Sequence, residues 1–85
     1  MTREEIRSVV LTALSRVAPE ADLRALDPKA DVRDALDIDS MDFNHVVLAL
    51  HDALKVDIAD KDYPRFFTVD GAVSELVARL GREVR

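Results

Sequence analysis

Ser40 is the side chain of this 85-residue chain with the most suggestive surroundings. Asp39 precedes it, and Asp34, Asp37 and Asp42 complete a nine-residue window that contains no base. A hydroxyl at or just inside a helix N-terminus faces solvent among backbone N–H groups that favour anions. Nothing in the chain could activate it as a nucleophile. The two imidazoles, His45 and His51, follow it by five and eleven residues on the same predicted helix, and a five-residue step turns a side chain to another face. A hydrolytic triad also needs a third group to orient the base, and none is apparent. No catalytic residue is therefore assigned. Ser40 is expected to be acted upon, because a phosphoester there would gain from the helix dipole and the free N–H groups. The absence of Cys excludes disulfides, thiolate metal sites and a cysteine nucleophile. His45 and His51 are six residues apart, which is not a helical ligand spacing, so no metal site is expected. His45 reads as an exposed surface residue.

The elements that hold this segment follow from periodicity and caps. Thr2 and Glu5 have capping-box spacing, and Ile6, Val9, Val10, Ala13, Leu14 and Val17 line one helical face behind them. Pro19 limits that helix, placed at 3–17. Residues 18–39 show no sustained period but carry Leu23, Leu26, Val32, Leu36 and Ile38 as apolar anchors. They predict a long ordered loop across helix ends, with a short turn at 33–36. Asp39 caps a second helix at 40–54, with Asp42 in its first turn. Its inward stripe is Phe43, Val46, Val47, Leu50 and Leu54, while Met41 and Leu48 share another side with His45 and Asp52. A short helical turn is expected around 61–66. Thr68 then caps a last helix bearing Val69, Ala72, Val73, Leu76, Val77 and Leu80, with Gly81 as a left-handed stop. No segment reads as a strand. One all-α domain over 1–85 follows, a bundle of three main helices and one short one.

Charge narrows the partners. The chain holds 12 basic and 17 acidic residues, for a net −5, which argues against nucleic acid. Residues 27–62 alone carry ten acidic and four basic residues, a net of −6 around the start of the second long helix. Aspartates singly serve as caps and turn formers, but several in a small volume repel one another. A basic protein partner would offset that repulsion and be steered in by it. No apolar run approaches the roughly 20 residues of a membrane span, and the charged start lacks a signal-peptide stretch. A cytoplasmic monomer is expected.

The segment Asp34-Ala35-Leu36-Asp37-Ile38-Asp39-Ser40-Met41-Asp42 resembles the phosphopantetheine attachment motif of acyl carrier proteins. That pattern runs acidic-x-Leu-Gly-x-Asp-Ser-Leu/Met-Asp/Glu. The likeness extends to the amphipathic first helix, the long loop, the Val-Val-Leu-Ala-Leu run at 46–50, Ile58, and Thr68-Val69 at the start of the last helix. The resemblance implies a four-helix bundle whose Ser40 receives 4′-phosphopantetheine from coenzyme A, attached by a phosphopantetheinyl transferase that recognises a signature including Asp39. The thiol of that arm would carry an acyl or aminoacyl group, put there by a loading ligase and passed to acyltransferases or synthases of lipid or secondary-metabolite synthesis. The docking residues it implies are Asp34, Asp37, Met41, Asp42, Asn44, His45, Leu48 and Asp52.

Two departures bear on this reading. The family's glycine is Asp37 here, and Asp is one of the few other residue types that visit the left-handed region, so the turn is expected to survive. Secondly, Asn44, His45, His51 and Asp52 stand where fatty-acid carriers are rich in Glu, which favours a specialised carrier over a fatty-acid-synthase role. An aminoacyl or peptidyl carrier of the same fold, and a helical adaptor without a prosthetic group, are the alternatives.

Overall fold

The computed structural model describes residues 1–81, so the expected domain over 1–85 extends past the described residues. Among them every regular element is helical. Helix α1 spans Arg3–Val17, α2 Val32–Ala35, α3 Ser40–Leu54, and α4 Val69–Arg79, with a 3-10 helix at Asp60–Phe66 between the last two. Two short helices thus accompany the three long ones, where one was expected.

The local signals act as read. The Thr2 hydroxyl accepts the Glu5 N–H at 3.1 Å while the Glu5 carboxylate accepts the Thr2 N–H at 2.7 Å. Both bonds satisfy donors that a helix start leaves open. Helix α1 packs on α3 and α4, and its buried face is Ile6, Val10, Ala13 and Leu14. Against it lie Phe43, Val46, Val47 and Leu50 of α3, and Val69, Ala72, Val73 and Leu76 of α4. These side chains form one core with Val32, Ile38, Val56 and Phe66.

The loop of residues 18–31 is ordered by its own aspartates. Asp22 and Asp27 each accept a backbone N–H two residues on, from Arg24 and Lys29. Two backbone bonds then tie the region to the last helix and the segment just before it: Val32 N–H donates to the Phe67 carbonyl at 2.8 Å, and Asp70 N–H to the Pro28 carbonyl at 2.9 Å. The apolar anchor Val32 is driven into the core beneath them.

Pro64 explains why residues 60–66 do not form an α-helix, since it supplies no N–H and its ring obstructs an α-ladder. Bonds of i→i+3 type take over, from Asp62 N–H to Ala59 and from Phe67 N–H to Pro64. Gly71 lets this element come close to α4. A Cβ at position 71 would sit 2.6 Å from the Arg65 carbonyl oxygen and 2.8 Å from the Thr68 hydroxyl oxygen.

One expectation at the chain's end is corrected. Helix α4 stops at Arg79 with Leu80 as its cap, and Gly81 does not adopt a left-handed φ. Leu80 N–H donates to the Leu76 carbonyl at 2.9 Å, so the last turn closes without a glycine cap. Left-handed backbone occurs instead at Asp37 and Lys55.

Candidate functional site

The approach to Ser40 is a chain of three linked caps. Helix α2 begins when Asp31 accepts the Arg33 N–H, and it ends at Leu36. Asp37 follows with φ 52°, and Ile38 N–H donates back to the Arg33 carbonyl at 3.1 Å. That bond from two residues past the cap, over a left-handed residue, is the 6→1 bond of a Schellman ending. Asp37 therefore fills the position that glycine most often takes, as expected of that substitution. The turn delivers Ile38 into the core and returns the chain outward at Asp39.

Asp39 then starts α3. Its carboxylate accepts the Asp42 N–H at 2.8 Å, and the Asp42 carboxylate accepts the Asp39 N–H at 3.4 Å. Asp42 was expected only as a favourable charge in the first turn, but it also completes a reciprocal capping box. The Asp-x-x-Asp spacing could have been read for this. Ser40 is the first residue of α3 and is exposed, and among the described residues no hydrogen bond engages its hydroxyl.

Around the serine the aspartates lack contact ion pairs, although the charge of Asp34 helps to raise Arg33. Asp34, Asp37 and Asp39 are exposed and Asp42 is half-buried, and among the described residues none of the four forms a salt bridge. Arg33 stands next to Asp34 in sequence, but its guanidinium is committed to Asp31 at 2.7 and 3.1 Å. That pairing holds the Asp31 carboxyl below its ordinary range and raises Arg33. On α3, Met41 is 69% exposed and Leu48 51% exposed, with His45 exposed between them and Asp52 exposed beyond. The two apolar side chains stand on the surface and do not pack under the loops.

Three expected docking residues carry structural duties as well. Besides Asp37 in the turn and Asp42 in the capping box, Asn44 accepts a hydrogen bond from the Tyr63 hydroxyl at 2.8 Å. His51 is half-buried. Its Nδ1 lies 2.7 Å from the Val56 carbonyl, which can only accept, so that nitrogen carries the proton and donates. Asp57 lies 3.4 Å from the same nitrogen. Among the described residues no group of three or more His, Asp or Glu side chains could hold a metal ion.

Beside Ser40 opens a surface groove of about 340 Å³, lined by Arg33, Ser40, Phe43, Asn44, Asp60, Tyr63 and Phe67. Phe43 forms its floor, buried to 3% exposure. The ring packs edge-on against Tyr63 at 5.6 Å and against Phe67 at 5.1 Å between centroids. The Arg33 guanidinium lies over the Phe67 ring, 3.5 Å from its centroid. Burial and then the nearby Asp60 carboxylate push the Tyr63 phenol above its ordinary range. From sequence, Phe43, Tyr63, Phe66 and Phe67 read as core or core-edge residues, some of them lining a cleft for an acyl chain, while Arg33 and Asp60 have no assigned role. No periodic signal joins residues 33, 40, 60, 63 and 67, because the 3-10 helix and the long loop bring them together.

An exposed serine at the start of an interior helix, in an all-helical domain, beside an aromatic groove and amid unpaired aspartates, defines the site. No protein-family model, no curated protein and no solved structure matches this chain. Among the described residues no helix is long and apolar enough to cross a membrane.

Proposed function

We propose that the protein is a carrier of the acyl-carrier type, modified on Ser40 by 4′-phosphopantetheine and itself without catalytic activity. The observation that carries this reading is the exposed, unengaged hydroxyl of Ser40 at the first position of α3, presented by the Asp37 turn and the Asp39–Asp42 box. The resemblance of residues 34–42 to an attachment motif supplies the identity of the group, and the geometry suits it. A helix start accommodates the phosphate through its free N–H groups and dipole, and the groove gives a pendant arm a partly apolar surface to lie against. Four-helix carrier topology is part of the same proposal.

The modification balances simply. The Ser40 Oγ forms a bond to the coenzyme A phosphorus that bears pantetheine, and the pyrophosphate P–O bond breaks. Adenosine 3′,5′-bisphosphate leaves, and the hydroxyl proton passes to a base of the transferase or to solvent. When bound, the arm supplies a terminal thiol able to hold cargo as a thioester. The remaining tasks belong to this chain's surface. Asp34, Asp37 and Asp39 present negative charge to a basic partner, and Met41 and Leu48 give that partner apolar anchors flanked by His45, Asn44 and Asp52.

The test is incubation with coenzyme A and a broad-specificity phosphopantetheinyl transferase, followed by intact-mass measurement. A gain of one arm that disappears in Ser40→Ala is the expected result. No gain, under conditions that load a control carrier, overturns the proposal and leaves a helical adaptor as the better reading.

A further inference from the structure

We infer that the cargo of this carrier is a short or aromatic acyl group, held in the surface groove beside Ser40, and that the bundle interior is closed to long chains. The inference rests on the proposed attachment to Ser40 and specifies the class of group delivered there.

The interior is filled. Val47, Leu50, Val73 and Leu76 are each at most 4% exposed, and Phe43, which lines the groove beside Ser40, belongs to the same buried core. Phe43 is fixed from two sides by edge-on contacts with Tyr63 and Phe67, an arrangement that aromatic rings favour. Tyr63 is fixed in turn by its hydroxyl bond to Asn44, which joins the 3-10 helix to α3. Phe67 is covered by the Arg33 guanidinium, and Arg33 is held by two bonds to Asp31. Admitting an alkyl chain between α3 and the 3-10 helix would part the rings and break the Tyr63–Asn44 bond together. These contacts act as a plug.

The same residues offer something in exchange. The groove's walls are the Tyr63 and Phe67 rings, its floor is Phe43, and Ser40 stands on its rim. An apolar cavity of about 150 Å³ is enough to hold a benzene ring, so a groove of about 340 Å³ has room for one ring. Its rim is acidic: Arg33 is paired with Asp31, the Asp60 carboxylate lines the groove, and exposed Asp39 adjoins Ser40. An uncharged acyl group fits that wall better than an anionic one.

The test attaches three arms to the intact protein through the transferase, from coenzyme A, benzoyl-coenzyme A and decanoyl-coenzyme A, and compares chemical shifts with the free-thiol form as reference. Benzoyl is expected to shift the ring signals of Phe43, Tyr63 and Phe67, and decanoyl to leave Val47, Leu50, Val73 and Leu76 where they were. The benzoyl shifts should be lost in Tyr63→Ala and kept in Tyr63→Phe; the comparison of arms on the unaltered protein stands even if the alanine variant does not fold. Decanoyl-dependent shifts at Leu50, Val73 and Leu76, or ring signals unmoved by benzoyl, overturn this inference while leaving the carrier reading intact. Failure of every coenzyme A derivative to load Ser40 overturns both.

Discussion

The left-handed turn at Asp37 can be tested by its energetics. At φ 52° a residue with a Cβ pays a steric penalty of roughly 1–2 kcal/mol, part of which Asp recovers through its short polar side chain. Asp37→Ala keeps the Cβ and loses that recovery, so it should cost about 1 kcal/mol. Asp37→Gly removes the penalty but gives the unfolded chain freedom worth about 0.4–1 kcal/mol, leaving its stability close to the parent's. Both variants delete the same charge, so the difference between them isolates the backbone. For a domain this size the urea slope is about 1 kcal/mol per molar, and the alanine midpoint should fall by about 1 M while the glycine midpoint barely moves. Heating should show the same order, with about 4–8 °C lost for each kcal/mol. Since the turn aims Asp39 and Ser40, the alanine variant should also load more slowly with the transferase, and glycine should restore the rate. An alanine variant as stable as glycine, or more so, would refute the Schellman account of the approach to Ser40.

Lys55 is the other left-handed residue, closing α3 through its N–H bond to the His51 carbonyl. Lys55→Gly should raise stability by roughly 0.5–1 kcal/mol, read as a higher urea midpoint; a lower one would argue against a left-handed cap there. Asp39→Ala should cost about 1 kcal/mol as a lost cap, whereas Asp39→Asn should keep it. If Asp39→Asn is stable yet loads slowly, a transferase reads its charge; equal loading would assign Asp39 to structure alone. Tyr63 is the chain's single tyrosine and there is no Trp, so phenolate absorbance reports it cleanly. Its folded value is raised above 10.0, so its contribution to stability is complete below the unfolded value and is lost as pH rises through the folded one. The folded protein should titrate later than urea-unfolded protein, and earlier again in Asp60→Asn. Coincident curves would remove the half-buried phenol from the groove. Loading rates should also fall as salt rises, and fall at low salt in Asp34→Asn; a flat salt response would exclude electrostatic steering.

Residues 1–17 and 39–54 were legible because their information is local. Thr2 with Glu5, and Asp39 before an apolar stripe, specify where α1 and α3 begin, and a 3.6-residue period then says which side chains face inward. The attachment-like segment was legible too, and its least typical residue, Asp37, adopts the backbone that the pattern demands. By contrast, periodicity sets Met41 and Leu48 off the inward stripe without saying what covers them, and only the fold leaves them on the surface. The left-handed stop expected of Gly81 failed for the reverse reason, since glycine permits that conformation without requiring it.

What the chain declares by itself is therefore its long helices, the residues that start them, its acidic centre and one serine of a suggestive kind. The groove beside that serine is a tertiary product. Tyr63 meets Asn44 across 19 residues, and Arg33 meets Phe67 across more, so each contact depends on how the loop and the 3-10 helix fold back onto α3. Caps and periods are set by neighbours a turn away. Pairings between distant segments are set by which closures bury the most apolar surface without stranding a polar group, and that comparison exists only in three dimensions.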